Sequence, residues 1–226
     1  MNPSSTTSRS GSATGFTRVS AKYGVFDLPV GDWITTQVQK LGGYELPMLD
    51  AWRSLVSPGD FAIDVGAFYG THAVFLAKLG VRVLAVEPVY HEMLRHNVEL
   101  NGVSDLVEIL PVAASDSGGH FGVHQALENN KSTMTLEPGR GVRAVTLDSV
   151  YREPARLVKI DVEGWELRVL GGASAVLKSA THLFVESLDR LALDVAVGSR
   201  FERLKRYNGT PTYHYRAAVG VSDARC

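Results

Sequence analysis

From Asp60 onward, short apolar runs alternate with amphipathic stretches, and this alternation constrains the fold more than any other feature. The runs are nearly continuous in apolar residues, as in strands that are buried on both faces of a parallel sheet. Strand–helix alternation predicts an α/β fold with a doubly wound, mostly parallel sheet. The predicted strands are Phe61–Val65, Val81–Val86, Val107–Ala114, Leu157–Val162, His182–Val185 and Thr212–Arg216.

The stretches between the strands have helical spacing of their apolar residues. We predict helices at Thr71–Leu79 and Tyr90–Asn101, with Gly102 as a C-cap, and a mostly helical segment at Leu188–Tyr207. Residues Ser115–Arg140 break the rhythm with several turn-forming pairs that contain Gly, Asn and Pro. That segment predicts a hairpin or a long loop beside a site at the sheet edge.

The 226 residues are enough for one domain. Residues 1–20 are rich in Ser, Thr and Gly and predict a disordered tail. A transit peptide is the alternative, because no acidic residue precedes Asp27, but Arg9, Arg18 and Lys22 are few and scattered. We expect residues 21–226 to form a single domain, with residues 21–57 as a mainly helical cover.

Charge and cysteine content restrict the function. The 23 basic and 24 acidic residues give a net charge of -1, which argues against a nucleic-acid coat or a polybasic membrane binder, although a local basic patch stays possible. No apolar run reaches the ~18 residues of a spanning helix. Cys226 is the single cysteine, so an internal disulfide and a cysteine zinc cluster are excluded. We therefore expect a cytoplasmic protein.

A glycine-rich turn follows the first predicted strand of the alternating region. It runs from Asp64 through Gly66, Ala67 and Gly70 to Thr71, which opens the next helix. Its Gly-x-x-x-Gly spacing differs from the Gly-x-Gly-x-x-Gly fingerprint of dinucleotide folds, where a pyrophosphate meets the helix start. The Asp64 carboxylate suits a cationic ligand instead. An ordinary glycine-rich strand–helix turn, with no ligand, has the same pattern.

A second carboxylate, Glu87, stands 23 residues after Asp64 at the end of the next predicted strand. An acid at that position can accept hydrogen bonds from both ribose hydroxyls of a nucleoside. The alternative is a surface glutamate before Pro88. S-adenosylmethionine carries an ammonium and a sulfonium group and no phosphate, so the two carboxylates together favour it over NAD.

Further short motifs accompany these residues. They are Pro58-Gly59-Asp60, Ala113-Ala114-Ser115-Asp116, Thr146-Leu147-Asp148 and Lys159-Ile160-Asp161-Val162-Glu163-Gly164, with Glu166, Leu170 and Gly172 after them. From Tyr44 to Glu186 the chain resembles the FkbM-type S-adenosylmethionine-dependent methyltransferases. The resemblance implies a Rossmann-like sheet of seven strands and O-methylation of a hydroxyl on a sugar, glycolipid or polyketide. Phe68 stands where the family usually has Asn, and the chain after Glu186 matches weakly.

We expect the cofactor to be S-adenosyl-L-methionine. The residues expected to bind it are Asp64, Gly66, Ala67, Gly70, Thr71, His72, Glu87, Pro88, Ala113 and Ser115. His72 would reach the cofactor carboxylate, with a packed or solvated histidine as the alternative. Glu45 is expected to line the pocket from the N-terminal cover.

A neutral alcohol needs a base while its proton leaves. Asp161 and Glu163 lie two apart at the end of the fourth predicted strand, so both can face one pocket, and close carboxylates raise each other's pKa. Alternatively, Asp161 orients the loop and Glu163 caps the helix at Trp165. Glu186, at the end of the fifth strand, is a candidate for binding the acceptor, and Lys159 for an internal ion pair.

Other activities stay open on the residues alone. His120 and His124 lie four apart without a third ligand, so we expect no metal site. N-methylation of a peptide or nucleic acid is an alternative, although no Asn-Pro-Pro-Tyr motif is present to hold a planar amide or base. A cofactor-binding module without catalysis is another. The expected partner is a small-molecule or glycan acceptor, and the oligomeric state is open.

Overall fold

The computed structural model describes residues 15–127, 130–150, 153–207 and 210–218. The strands, in chain order, are β1 (Phe16–Ala21), β2 (Gly24–Pro29), β3 (Phe61–Val65), β4 (Arg82–Val86), β5 (Val107–Leu110), β6 (Ala113–Ala114), β7 (Gly119–Leu127), β8 (Asn130–Pro138), β9 (Val142–Val145), β10 (Leu157–Ile160), β11 (His182–Glu186), β12 (Phe201–Arg206) and β13 (Thr212–Ala217). The helices are α1 (Trp33–Leu41), α2 (Leu46–Trp52), α3 (Thr71–Lys78), α4 (His91–Leu100), α5 (Leu147–Val150), α6 (Glu166–Gly171), α7 (Ser174–Ser179) and α8 (Arg190–Val197).

Seven strands form the main sheet, in the order β12-β13-β11-β10-β3-β4-β5. The five from β11 to β5 are parallel, and β13 and β12 are added antiparallel at one edge. The chain runs from β3 outward to β4 and β5, and then returns to β10 on the other side of β3. The predicted doubly wound α/β fold is confirmed. The reversal between β3 and β10 opens a crevice at the carboxyl ends of these strands, which is where open α/β sheets bind ligands.

Each face of the sheet is covered by its own apolar layer. Trp52, Phe75 and Phe184 belong to the layer that contains α1 to α4 and the β1–β2 hairpin. Ile63 and Val158 belong to the opposite layer, which contains α6 to α8. Successive residues of a strand point to opposite faces, so the buried runs of β3 and β10 supply both layers at once. This explains why these strands read as continuous apolar runs.

Side chains from α4 satisfy the free edge of β2. Asn101 bonds the backbone of Val25 in both directions, at 3.0 Å and 2.6 Å. Asn97 accepts the Asp27 amide at 2.9 Å and donates to the Tyr69 carbonyl at 2.9 Å. The side-chain amides of Asn97 and Asn101 thus bond backbone groups at the edge of β2 that no neighbouring strand in the described part of the chain bonds. They also tie the N-terminal hairpin to the turn that precedes α3.

The N-terminal segment differs from the sequence prediction. Residues 16–20 lie in β1 rather than in a disordered tail, because pairing with β2 satisfies their backbone while Val19 is buried in the core. The cover predicted as mainly helical over residues 21–57 contains α1 and α2, but β2 comes before them. Residues 1–14 of the predicted tail lie outside the described residues.

Two predicted elements have different boundaries. The strand predicted at Val107–Ala114 is split into β5 and β6, which belong to different sheets, and Pro111, which has no amide to donate, lies between them. The helix predicted over Leu188–Tyr207 ends at Val197, and β12 follows it. Only Phe201 of β12 is buried, so this edge strand has no apolar alternation that the sequence could reveal.

The segment that breaks the strand–helix rhythm folds as the antiparallel pair β7–β8, as predicted for residues 115–140. It belongs to a four-stranded sheet in the order β6-β9-β7-β8. Within the described ranges, none of the helices is long and apolar enough to cross a membrane.

We predict that Asn97→Ala lowers the free energy of unfolding by about 1–3 kcal/mol, because it leaves buried backbone groups of Asp27 and Tyr69 without partners. Urea denaturation measures the loss. Glu99→Ala, an exposed change on the same helix, is the control and should stay within about 0.5 kcal/mol of the parent chain. Equal stability of the two variants would contradict the bridging role of Asn97.

Candidate functional site

A cleft lies at the carboxyl ends of β3, β4, β10 and β11. Open α/β sheets bind ligands at this edge, beside the point where the strand order reverses. The sequence-predicted residues that line it are Gly66, Ala67, Thr71, His72, Glu87, Pro88, Ala113, Asp161, Glu163 and Glu186. Residues from four strand ends therefore meet in one space, as their positions in the sequence predicted.

Gly66 allows the loop after β3 to touch the loop after β10. Its φ is 77°, in the region that favours glycine, and an added Cβ would overlap the Asp161 carbonyl oxygen. Asp161 in turn donates its backbone N–H to the Val65 carbonyl at 3.1 Å. The two sides of the crevice are thus in direct backbone contact at its base.

Three predicted cofactor residues do not line the cleft. Asp64 is fully buried beneath it and lies 3.4 Å from the Lys159 ammonium. Gly70 allows α3 to approach α4, since a Cβ there would meet Leu94, so it serves the packing of these two helices. Ser115 is buried, and its backbone carbonyl packs against Gly172. These three residues shape the walls and do not face a ligand.

Glu87 organises one end of the cleft. Its Oε1 accepts the amides of Val89 and Tyr90 at 2.8 Å and 3.0 Å, and its Oε2 accepts the Phe68 amide at 2.9 Å. Burial raises the pKa of Glu87, while these three amides act in the opposite direction. Each carboxylate oxygen has more than one acceptor position, so Glu87 can still accept from a ligand.

Apolar side chains and a second carboxylate form the roof at the same end. Met134 and Leu136 of β8 line the cleft, and the Tyr90 hydroxyl contacts the Met134 sulfur at 4.0 Å. Asp32 joins α1 to β8, the two elements of the roof. Its Oδ1 accepts the Ile34 amide and caps α1, and its Oδ2 accepts the Lys131 amide of β8 at 3.0 Å. The contact between Asp32 and Lys131 could not be predicted from local patterns, because the two residues are 99 positions apart.

Carboxylates surround a single buried lysine at the other end. The Lys159 ammonium lies 3.2 Å from Asp161 Oδ2 and 3.4 Å from Asp64 Oδ1, and it donates to the Gly66 carbonyl at 3.1 Å. Burial alone would lower the pKa of Lys159, but Asp161 and Asp64 raise it above its ordinary value. The lysine is therefore a cation, and the predicted internal ion pair is present.

Glu163 and Glu186 reach the same end from two different elements. Burial, with the nearby Asp161 and Glu166 carboxylates, raises the pKa of Glu163 to about 7. Burial, with Asp161 and Glu45, raises the pKa of Glu186 to about 8. Both values lie close to the pH at which a general base works best.

The loop after β10 differs from the sequence picture in one respect. β10 ends at Ile160, so Asp161 and Glu163 face the cleft from a loop rather than from one strand face. Glu163 has a φ of 53°, an unusual conformation that non-glycine residues adopt mainly at functional sites. It does not cap α6: Glu166 accepts the Gly164 amide at 2.8 Å instead.

The N-terminal cover completes this end of the cleft. Tyr44 lines it, whereas Glu45, predicted to line it, is buried behind and pairs with His72 Nε2 at 2.9 Å. Burial alone raises the pKa of Glu45, but His72 brings it below its ordinary value. His72 also packs on Trp52 with ring centres 5.4 Å apart. It is thus held by protein groups, as in the packed alternative considered above.

A family model for the methyltransferase FkbM domain matches residues 64–196, more than half of the chain. The chain belongs to this family. The matched range contains Glu87, Lys159 and the three carboxylates of the cleft, but it excludes Tyr44 and Glu45. The wall that the N-terminal cover adds to the cleft therefore lies outside the part that the family model describes.

Solved structures and a curated protein are also similar. An FkbM methyltransferase from Methylobacillus flagellatus KT superposes with a TM-score of 0.52 at 17% identity, over 71% of this chain and 44% of that one. A Pyrococcus abyssi tRNA (uracil-54, C5)-methyltransferase in complex with S-adenosyl-L-homocysteine gives 0.52 at 18% identity, over 90% and 44%. Ribosomal protein L11 methyltransferase from Exiguobacterium sp. is 39% identical over 64 residues, 27% of this chain and 20% of that protein. The chain thus spans less than half of each, and the two structures show the fold.

The backbone conformation of residue 68 suits the Asn that the resemblance to the FkbM family implies at this position. Phe68 has a φ of 50°, a region in which Asn is the more frequent non-glycine residue. The Phe68 ring packs on Tyr69 and Tyr90 with centre distances of 3.7 Å and 4.9 Å. Aromatic packing in this chain therefore compensates for an unfavourable backbone conformation.

We predict that Glu186→Gln raises the Tm at pH 8.5 and changes it less at pH 5.5. The pKa of Glu186 is raised from 4.5 to about 8, so folding favours the protonated carboxyl, and stability falls as the pH rises through that range. Glutamine removes this loss. Differential scanning calorimetry at both pH values measures it, with the exposed Glu108→Gln as control. If Glu186→Gln shifts the Tm by the same amount at both pH values, that result would contradict the burial of this carboxyl.

Proposed function

We propose that this FkbM-family protein is an S-adenosylmethionine-dependent methyltransferase that methylates a hydroxyl of a small molecule, of a sugar, glycolipid or polyketide type. One observation carries the proposal: three carboxylates, Asp161, Glu163 and Glu186, face the same cleft as Glu87, at its opposite end. Such a cleft combines a partner for ribose hydroxyls with an acidic end for cationic groups and for proton removal.

The cleft fits the cofactor by the chemistry of its lining. Glu87 would hold the ribose hydroxyls, and the apolar side chains of Pro88, Ala113 and Met134 would enclose the adenine. Gly66, Ala67 and Thr71 would lie beside the methionine portion. At the far end, a positively charged group of a ligand would favour the ionised forms of Glu163 and Glu186, whose pKa values are raised in the free chain.

When bound, the cofactor supplies an activated methyl group on a sulfonium. The residues of the chain must then align the acceptor oxygen, exclude water and take up one proton. Asp161 is held by Lys159 and orients the acceptor. Glu186 lies at the rigid end of β11 and takes the hydroxyl proton as the oxygen–methyl bond forms. The products are a methyl ether, the neutral thioether of the cofactor and a protonated Glu186.

Two other outcomes belong in the same test. The Pyrococcus abyssi relative is named as acting on tRNA, so RNA is included among the acceptors that are screened. A chain that binds the cofactor and never releases S-adenosylhomocysteine with any acceptor would be a binding module. Sugars, glycolipids, polyketides and total RNA with labelled S-adenosylmethionine form the screen.

We predict that the chain binds S-adenosylmethionine and S-adenosylhomocysteine but not NAD, and that Glu87→Gln weakens binding of both by about 10- to 100-fold. A hydrogen bond to a charged group is worth about 1.5–3 kcal/mol. Glutamine keeps one oxygen to accept the backbone amides, which alanine would not. Titration calorimetry measures the affinities, and the exposed Glu108→Gln is the control. Tight NAD binding without a response to the other two ligands would contradict the proposal.

With an accepted acceptor in hand, we predict that Glu186→Gln lowers kcat by about 10²–10⁴-fold, because the amide cannot take the proton. Its Kd for S-adenosylhomocysteine should change by less than about threefold, too little to account for that loss. In the parent chain the rate should rise with pH and level off above about 8, in line with the raised pKa of Glu186.

The matched variants are Glu163→Gln and Asp161→Asn. We expect Glu163→Gln to lower kcat by less than about tenfold, and Asp161→Asn to raise KM more than it lowers kcat. If Glu163→Gln gives the large loss and Glu186→Gln keeps near-normal turnover, the base is Glu163 and the assignment to Glu186 is wrong.

A further inference from the structure

Lys159 is a buried charge that the proposed reaction does not use directly. It lies on β10 directly beside Asp64 of β3, since the two are register partners in the parallel sheet. Both are buried, at 3% and 0% exposure, on the side of the sheet that also holds the buried Glu45–His72 pair. A buried charge is costly unless it is paired and hydrogen-bonded, so stability alone does not explain why a lysine stands at this position.

Three groups of the protein surround the Lys159 ammonium, one through a hydrogen bond and two through ion pairs. They are the Gly66 carbonyl at 3.1 Å, Asp161 Oδ2 at 3.2 Å and Asp64 Oδ1 at 3.4 Å. Gly66 and Asp161 belong to the two loops that meet at the base of the crevice. An ammonium held by these three groups stays protonated and has no lone pair, so it cannot act as a nucleophile.

We propose that Lys159 is a positioning residue for the acceptor end of the cleft: its ammonium fixes the Asp161 carboxylate and the Gly66 carbonyl, and leaves proton uptake to Glu186. This inference rests on the proposed function. Among the described residues, neither Glu163 nor Glu186 forms an ion pair, whereas Asp161 does. Within the part of the chain that the structure describes, the hydrogen bond that Glu186 accepts is a long one, from the Thr212 hydroxyl at 3.4 Å.

The electrostatics of the cluster agree with that division. Lys159 lowers the pKa of both Glu163 and Glu186 against the stronger effect of burial and of the other carboxylates. It therefore sets how far these values rise. The charged and titratable groups that face the cluster from the surrounding elements are Asp64, Glu87, Asp161, Glu163, Glu166, Glu186, the Glu45–His72 pair and Tyr44.

The first test is carboxyl NMR of the ligand-free chain, labelled with ¹³C at the glutamate side-chain carboxyls. Signals of Glu163 and Glu186 are assigned from their disappearance in the two Gln variants. In Lys159→Met we expect both titration midpoints to rise by on the order of one pH unit, because an opposite charge has been removed. The exposed Lys178→Met is the matched control and should leave both midpoints unchanged.

A second variant guards against misfolding, since Lys159→Met leaves Asp64 buried without its partner. Lys159→Met/Asp64→Asn removes both charges together and should show a smaller rise in the same direction, because the negative charge of Asp64 is lost as well. Unchanged midpoints in a folded neutral variant overturn the proposal. If neither neutral variant folds, Lys159→Arg tests the positioning role of Lys159. That role predicts near-normal titration midpoints, with binding of S-adenosylhomocysteine weakened by about tenfold. Full affinity for S-adenosylhomocysteine would overturn the proposal.

The second readout separates this inference from the proposed function. With an acceptor, the rise of kcat with pH should move to higher pH in Lys159→Met by the same amount as the NMR midpoints. A parent chain that binds no S-adenosylhomocysteine would contradict the proposed function, while the NMR result would still decide the role of Lys159. Normal turnover and an unmoved pH profile in Lys159→Met would overturn the positioning role and leave the methyltransferase proposal intact.

Discussion

The contact between the loops after β3 and β10 is the constraint on which the site depends. These strands are neighbours in the sheet, but the chain leaves them in opposite directions, so their loops would diverge without a specific contact. Gly66 has no Cβ and lets the Asp161 carbonyl approach, while Asp161 donates its own amide to Val65. From this contact the cleft extends toward Glu87 on one side and toward Glu186 on the other.

Much of the fold and the base of the site follow from the sequence, because both depend on local patterns. Continuous apolar runs identify β3, β4, β10 and β11, and a residue at the end of such a run must lie at the ligand-binding edge. That reasoning placed Glu87, Asp161, Glu163 and Glu186 correctly in one cleft. It failed at β12, where exposed charged residues of an edge strand carry no apolar period.

The walls and roof could not be predicted, because their contacts depend on packing between distant segments. Tyr44 enters the cleft only because Glu45 turns the chain with a φ of 50° and pairs with His72. Asp64 was expected to face the ligand, yet its register partner on β10 is Lys159, and the two charges neutralise each other beneath the cleft. A sequence shows which residues carry charge, but the register between strands decides which charges cancel.

Among the described residues, Asp32 joins α1 to β8 across the roof. Its carboxylate holds the start of α1 with one oxygen and the amide of Lys131, on edge strand β8, with the other. Separating α1 from β8 breaks the bond between Asp32 and the Lys131 amide and exposes that amide to water. Hydrogen exchange at this one amide therefore reports how often the bond between Asp32 and β8 breaks, independently of any ligand or reaction.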